Sequence, residues 1–199
     1  MYRTNIRSVK IKETNKRAKI LNTMLELVVQ QGIQATPMSQ VVKESGVAAG
    51  TIYHHFSSKE EIINELYLNL KIEFGKALSE NLKEDITYQE KFFQTWKNLY
   101  DYFCENESAF HFAEQIGHCT MITSDTKQKG EVYYLPIVEF FALGISQHIL
   151  REMDLKLMTN LIYGNIVTAV QITLSGELIM TNDRLKTVIE SSWDSIRIH

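Results

Sequence analysis

The chain is short of helix-breaking residues. Its 199 positions hold 2 prolines and 9 glycines, which excludes collagen-like, proline-rich and low-complexity classes. Two cysteines, Cys104 and Cys119, are too few for a disulfide scaffold, so free thiols in a reducing cytoplasm are expected. The stretch Met1 to Lys12 is basic but lacks the apolar core of a secretory signal. No glycine-rich phosphate loop, nucleophile elbow or His-Glu metal motif occurs, so an enzyme is disfavoured and no cofactor is implied. Long uncharged runs are also scarce. The longest, Leu157 to Gly176, includes Thr159, Asn160, Asn165, Thr168, Gln171, Thr173 and Ser175. That polarity points to a buried helix in a soluble protein and not to a membrane partner.

What is present is a core's worth of apolar side chains, 44% of the chain, enough for one ordinary domain or two small ones. The net charge of −3 conceals an asymmetry. Residues 1–60 carry nine Lys/Arg against four acids, +5, and the remainder twelve against twenty, −8. A basic head on an acidic body suggests an anionic partner for the head alone.

Apolar spacing is helical throughout. Ile20, Leu21, Met24, Leu25, Val28 and Val29 form one face, and Gly32 ends that helix. Thr36 as a capping hydroxyl and Pro37 open a short second helix closed by Gly46. A third runs from Ala49 to His55, and Ser57/Glu60 or Ser58/Glu61 forms a capping box for a fourth, Lys59 to Leu82. Thr87 with Glu90 opens a fifth helix reaching Cys104, and a sixth covers Ser108 to Gly117. Met121 to Gly130 reads as a polar loop, and helices follow over Glu131–Arg151, Leu155–Ser175 and Asn182–Ile196. Asp154 caps the second of these, and Thr181 or Asn182 the third. The fold class is all-α, with about nine helices.

Two short helices joined by a tight turn, within three helices, describe a helix-turn-helix. Val47 points inward, and Val41, Val42, Ile52 and Phe56 pack against Met24, Leu25 and Val28, leaving Thr51, Tyr53 and His54 outside. The string Gly46-Val47-Ala48-Ala49-Gly50-Thr51-Ile52-Tyr53-His54-His55-Phe56-Ser57-Ser58-Lys59-Glu60 resembles the signature of TetR-type transcriptional regulators. The resemblance implies a DNA-binding head over residues 13–58, preceded by a basic arm at 1–12. An effector-binding and dimerisation body would occupy 59–199. The implied DNA contacts are Thr36, Ala48, Ala49, Gly50, Thr51, Tyr53, His54 and Lys59. Gly50 allows close approach, Thr51 touches base edges, and Tyr53, His54 and Lys59 meet phosphates. Ala48-Ala49 stands where the family often has a capping Ser and a cation, and the third helix contains no Lys or Arg. Base reading then falls to apolar contacts from Ala49 and Thr51, aided by DNA shape. The seven bases within residues 1–19 would compensate by tracking phosphates or entering a minor groove.

Aromatic residues crowd the fifth and sixth helices. A filled core is one reading and a cavity for a small apolar or aromatic effector is the other, with Trp96, Tyr100, Phe103, Phe112, Gln115 and Tyr163 as candidates. His111, Glu114 and His118 share a helical face, with Cys119 adjacent. They could hold Zn²⁺, but a polar rim is preferred because Gly117 can end the helix first, so no metal is assigned. The resemblance further implies a homodimer through the last two helices, reading a near-palindromic double-stranded operator and released by the effector. The alternative is a helical interaction protein whose head has lost DNA specificity.

Overall fold

A computed structural model describes residues 16–83, 85–117 and 119–198. The basic arm at 1–12 and His118 lie outside the described residues. The described chain folds into α1 (Lys16–Gln31), α2 (Met38–Ser45), α3 (Ala49–His55), α4 (Lys59–Ser79), α5 (Tyr88–Glu105), α6 (Glu107–Ile116), α7 (Ser124–Glu131), a 3-10 turn (Val132–Tyr134), α8 (Leu135–Ser146), α9 (Leu155–Ser175) and α10 (Asn182–Asp194). The fold is all-α: the only β pairing among the described residues is an isolated bridge between Leu150 and Arg197.

Local chemistry sets most of the boundaries. Gly46, at φ 61°, closes α2 in the left-handed conformation that glycine adopts without steric cost. At the start of α4, Ser58 Oγ accepts from Glu61 N at 3.2 Å, while the Glu61 carboxylate accepts from Ser57 N at 2.6 Å. Thr87 and Glu90 form the reciprocal box of α5, at 3.2 and 2.8 Å. These hydrogen bonds hold the Glu61 and Glu90 carboxyls below their ordinary range. Asp154 caps Leu157 N, and it is Thr181, not Asn182, that caps α10.

Three boundaries differ from the sequence reading. The polar segment read as a loop contains α7, because Thr123 Oγ1 accepts from Thr126 N at 3.1 Å and Lys129 pairs with Asp125 one turn earlier. The helix expected over 131–151 is divided, since Pro136 lies in the first turn of α8 and His148, at φ 55°, lies beyond its end. Helix α4 stops at Ser79, short of Leu82, with Asn81 left-handed at φ 53°. Gln94 and Asn98 on α5 then donate to the Asn81 and Glu80 carbonyls, each at 2.7 Å.

The chain forms two compact units. One takes in the described residues up to Ile72 with Asn106–Glu131, the other Glu73–Glu105 with Val132 onward. The division therefore falls inside α4 and groups α6 and α7 with the helix-turn-helix, unlike a simple cut at residue 58. In the first unit Met24, Val28, Val41, Ile52 and Phe56 are fully enclosed, with Leu25 and Val47 nearly so; Val42 is only half-buried. Each such side chain contributes about 1.5–3 kcal/mol on leaving water.

In the second unit α5 packs on α9 and α10. The apolar face of α10 is turned inward, where Trp193 lies against Phe92 at 5.3 Å and Tyr88 at 6.1 Å between ring centroids. Helix α9 is not buried all round as expected. It buries Met158, Ile162, Ile166, Ala169 and Val170, while Leu157, Leu161, Gly164 and Thr168 line an exposed stripe. Helix α9 alone among the described helices is long and apolar enough to cross a bilayer, by length and composition only.

Candidate nucleic-acid interface

Helix α3 divides into two faces. Ile52, with Phe56 just past the helix end, anchors it to the core, while Ala49, Gly50, Tyr53 and His54 are exposed and Thr51 is half-buried. The exposed set follows an i, i+1, i+4, i+5 spacing, so it forms one patch. Ala48 precedes the helix without giving it a side-chain cap, as the missing Ser predicts. A Cβ built on Gly50 meets nothing within 4 Å, so no neighbour in the protomer requires glycine there.

Arg17 holds this helix in place. Its Nη1 donates to the His55 carbonyl at 2.9 Å and its Nε to Glu65 Oε1 at 3.0 Å. Nη2 pairs with the other Glu65 oxygen, and the guanidinium lies 4.3 Å from the Phe56 ring centroid. One residue of α1 thus satisfies the last turn of α3 and links it to α4. Sequence reasoning had placed Arg17 among the bases available to phosphates. A cation in the first turn of α1, directly before the buried Ala18, carries no signal in the sequence of this inward role.

Two other expected contacts are altered. Thr36 is fully buried and its hydroxyl donates to the Gly32 carbonyl at 2.9 Å. Pro37 takes the N-cap position of α2 with no side-chain cap, so Thr36 neither caps the helix nor presents its side chain outward. Lys59 stands half-buried in the first turn of α4 beside Glu60 and Glu61, whose carboxyls are held low mainly by backbone hydrogen bonds. Those acids already complement the helix end, so any pull on an anion comes from the Lys59 ammonium. The patch of α3, with Lys43 and Lys59 nearby in sequence, can set a phenol, an imidazole and ammonium groups against a polyanion's backbone and methyl groups against base edges.

The expected effector residues do not all share a unit. Trp96, Tyr100, Phe103 and Tyr163 lie on the α5–α9 seam. Trp96 stacks on Tyr100 at 5.9 Å, and Phe103 meets Tyr163 edge-on at 6.4 Å between centroids. Thr173 donates its hydroxyl hydrogen to the Ala169 carbonyl, which leaves Tyr100 to donate to Thr173 at 2.8 Å. Burial raises the Tyr100 phenol to about 12. Trp96 is 1% exposed and its Nε1 has no acceptor among the described residues. Phe112 and Gln115 belong to the other unit: Phe112 is core, and Gln115 Nε2 donates to the Val28 carbonyl of α1 at 3.0 Å. An amide in an aromatic-rich helix resembles a pocket residue in sequence, and only the fold shows it tying α6 to α1. His111 Nδ1 lies 3.4 Å from Glu114 Oε2, and no group of three or more potential metal ligands gathers among the described residues.

Residues 20–66 match the profile of bacterial regulatory proteins of the tetR family, and residues 67–198 match that of the tetracyclin repressor-like C-terminal domain. The fatty acid metabolism regulator protein of Bacillus subtilis is 33% identical over 76 residues, 38% of this chain and 39% of that protein. The transcriptional regulator QacR of Staphylococcus aureus is 37% identical over 82 residues, 40% of this chain and 42% of that protein. The chain thus spans well under two thirds of these relatives. A TetR family transcription regulator from Marinobacter aquaeolei superposes with a TM-score of 0.84 at 18% identity, over 92% of this chain and 96% of that one. FadR from Bacillus subtilis, solved in complex with stearoyl-CoA, superposes at 0.68 and 22% identity, over 88% and 95%. Two family profiles that together run from residue 20 to 198 agree with the helix-turn-helix and the helical body, and the chain belongs to the tetR family of bacterial regulatory proteins, a family of regulators and not of enzymes.

Proposed function

We propose that this chain is a ligand-released transcriptional repressor that binds a near-palindromic DNA operator as a homodimer in the cytoplasm. The observation that carries the reading is the exposed patch Ala49, Gly50, Tyr53 and His54 on a helix that Arg17 and a closed core hold rigid. The head of residues 13–58 contacts DNA through Ala48, Ala49, Gly50, Thr51, Tyr53, His54 and Lys59. The exposed stripe of Leu157, Leu161, Gly164 and Thr168 supports pairing through α9, with α10 beside it, as the dimer contact. Two recognition helices related by a two-fold axis then enter major grooves about one helical turn apart.

The effector reading rests on the α5–α9 seam. A buried indole N–H without an acceptor costs about 1–3 kcal/mol; Trp96 has none among the described residues, and a ligand carbonyl or other acceptor would satisfy it among aromatic walls. The stearoyl-CoA complex of FadR makes an apolar chain with an acceptor head the first effector class to try. Release follows if the ligand prefers a conformer whose recognition helices are wrongly spaced, with α4 carrying the change because the boundary between the units falls within it. Selection of binding sites from random duplex DNA by the full chain tests the reading. A palindromic consensus is expected, and failure to enrich any sequence overturns it in favour of an interaction protein.

A further inference from the structure

The side chains that α3 lacks restrict what it can read. Direct recognition of guanine in the major groove uses Arg or Lys, adenine uses Asn or Gln, and cytosine donates its N4 amino group to Glu or Asp. The segment Ala48 to His55 contains none of these six residue types. In a helix-turn-helix the N-terminal part of the recognition helix meets base edges, so reading falls on Ala48, Ala49, Gly50 and Thr51. Ala48 and Ala49 are exposed methyl groups, Thr51 offers a methyl and a hydroxyl, and the open space over Gly50 leaves the backbone free to come close. Tyr53 and His54 lie a turn further along, toward the end fixed by Arg17. On the preceding helix, Gln40 is engaged with Gln31 at 2.8 Å. The base feature that matches a methyl-bearing, uncharged surface is the thymine 5-methyl, which Ala and Thr contact by apolar packing.

We infer that each operator half-site is read through thymine methyl groups packed against Ala49 and Thr51, with no guanine contact from the recognition helix. The inference rests on the repressor reading and names the chemistry of its DNA site. Burying one methyl is worth about fourfold in affinity, so a symmetric pair is worth about fifteenfold.

The test is uracil interference on the operator selected from random duplex DNA, with the full chain and fluorescence anisotropy at fixed salt. Replacing thymine by uracil removes the 5-methyl and keeps every hydrogen-bonding group. One or two thymines per half-site are expected to show the roughly fifteenfold loss when both symmetric copies are replaced. Thr51→Ser, which retains the hydroxyl and drops the methyl, is expected to abolish that uracil penalty at one position and leave the other. A guanine-dominated contact region overturns the inference while leaving the repressor reading intact. So does an A·T-rich consensus indifferent to uracil, which means recognition by groove shape. If the Thr51 variant does not fold, the wild-type interference pattern alone decides. No enriched sequence at all overturns the repressor reading and this inference with it.

Discussion

Replacing Gly50 by alanine is expected to raise stability and lower operator affinity together. Glycine within a helix is less favourable than alanine by about 0.5–1 kcal/mol, through the larger conformational entropy it loses on folding. That gain is realised only where the methyl fits, and the added Cβ at Gly50 meets no atom within 4 Å. The backbone there is not left-handed, so alanine also introduces no strain. For a chain of this size the gain corresponds to a rise in Tm of about 2–4 °C per kcal/mol. On DNA the same methyl occupies the space into which the groove wall must fit. Loss of one close contact costs on the order of 1–3 kcal/mol, and the two protomers suffer it together, about 2–6 kcal/mol in all, so affinity falls roughly thirtyfold at least and up to about ten-thousandfold. Thermal melting and fluorescence anisotropy on one protein preparation measure both, at a single salt concentration because phosphate binding is salt-dependent. Unchanged operator affinity refutes close approach at Gly50, and a fall in Tm refutes the open space.

Other perturbations address the remaining sites. Gly164→Trp, on the open stripe of α9, is expected to leave the protomer folded but convert dimer to monomer in analytical ultracentrifugation; a persistent dimer moves the interface elsewhere. Trp96→Phe is expected to keep stability within about 1 kcal/mol, since lost ring area is offset by removal of an unpartnered N–H, and to weaken stearoyl-CoA binding roughly tenfold by calorimetry. Undiminished binding removes Trp96 from the effector site. Burial lowers the Lys71 ammonium from 10.5 to about 8, its Nζ lying 5.0 Å from the Tyr67 ring centroid. The unfolded chain then holds more protons between those values, so stability should climb from about pH 8 toward pH 10. Lys71→Met should flatten the climb and add up to about 3 kcal/mol at pH 7 in urea melts. A slope identical in both proteins rejects that assignment. Deleting residues 1–12 should weaken operator binding and flatten its dependence on log[salt], and an unaltered slope rejects a phosphate-tracking arm.

The elements legible in the sequence were those whose signal is local. A left-handed glycine after α2, capping residues before α4, α5, α9 and α10, and an apolar face repeating every turn each require only neighbouring residues to be recognised. Helix α7 was hidden for the opposite reason: its composition is polar, and its stability comes from Thr123, an ion pair and contacts to α4. Asn64, on α4, donates to the Met121 carbonyl at 2.8 Å and accepts from Thr123 N at 3.0 Å. Gly130, which looked like part of a loop, is the residue on which Tyr67 packs: a Cβ there would lie 2.7 Å from the Tyr67 ring. Such partners are more than 50 residues apart and leave no periodic trace.

Charge shows the same limit. The +5 of residues 1–60 was legible by counting, but counting treats every base as equivalent. In the fold Arg17 is engaged by Glu65 and by the end of α3, and Lys59 stands beside two carboxylates, whereas Lys16, Lys19 and Lys43 remain exposed. On the proposed reading Arg17 still serves the DNA-binding head, because the orientation of α3 would decide whether Ala49 and Thr51 can reach a groove at all. A cation that fixes the reading helix acts on specificity through geometry, and its removal should disturb all bases read by α3 alike. An exposed lysine changes affinity and salt dependence and leaves base preference as it was. What the structure separates is an engaged cation, Arg17, from the exposed Lys16, Lys19 and Lys43, which composition counts alike; the two roles are what the proposed DNA reading assigns to them.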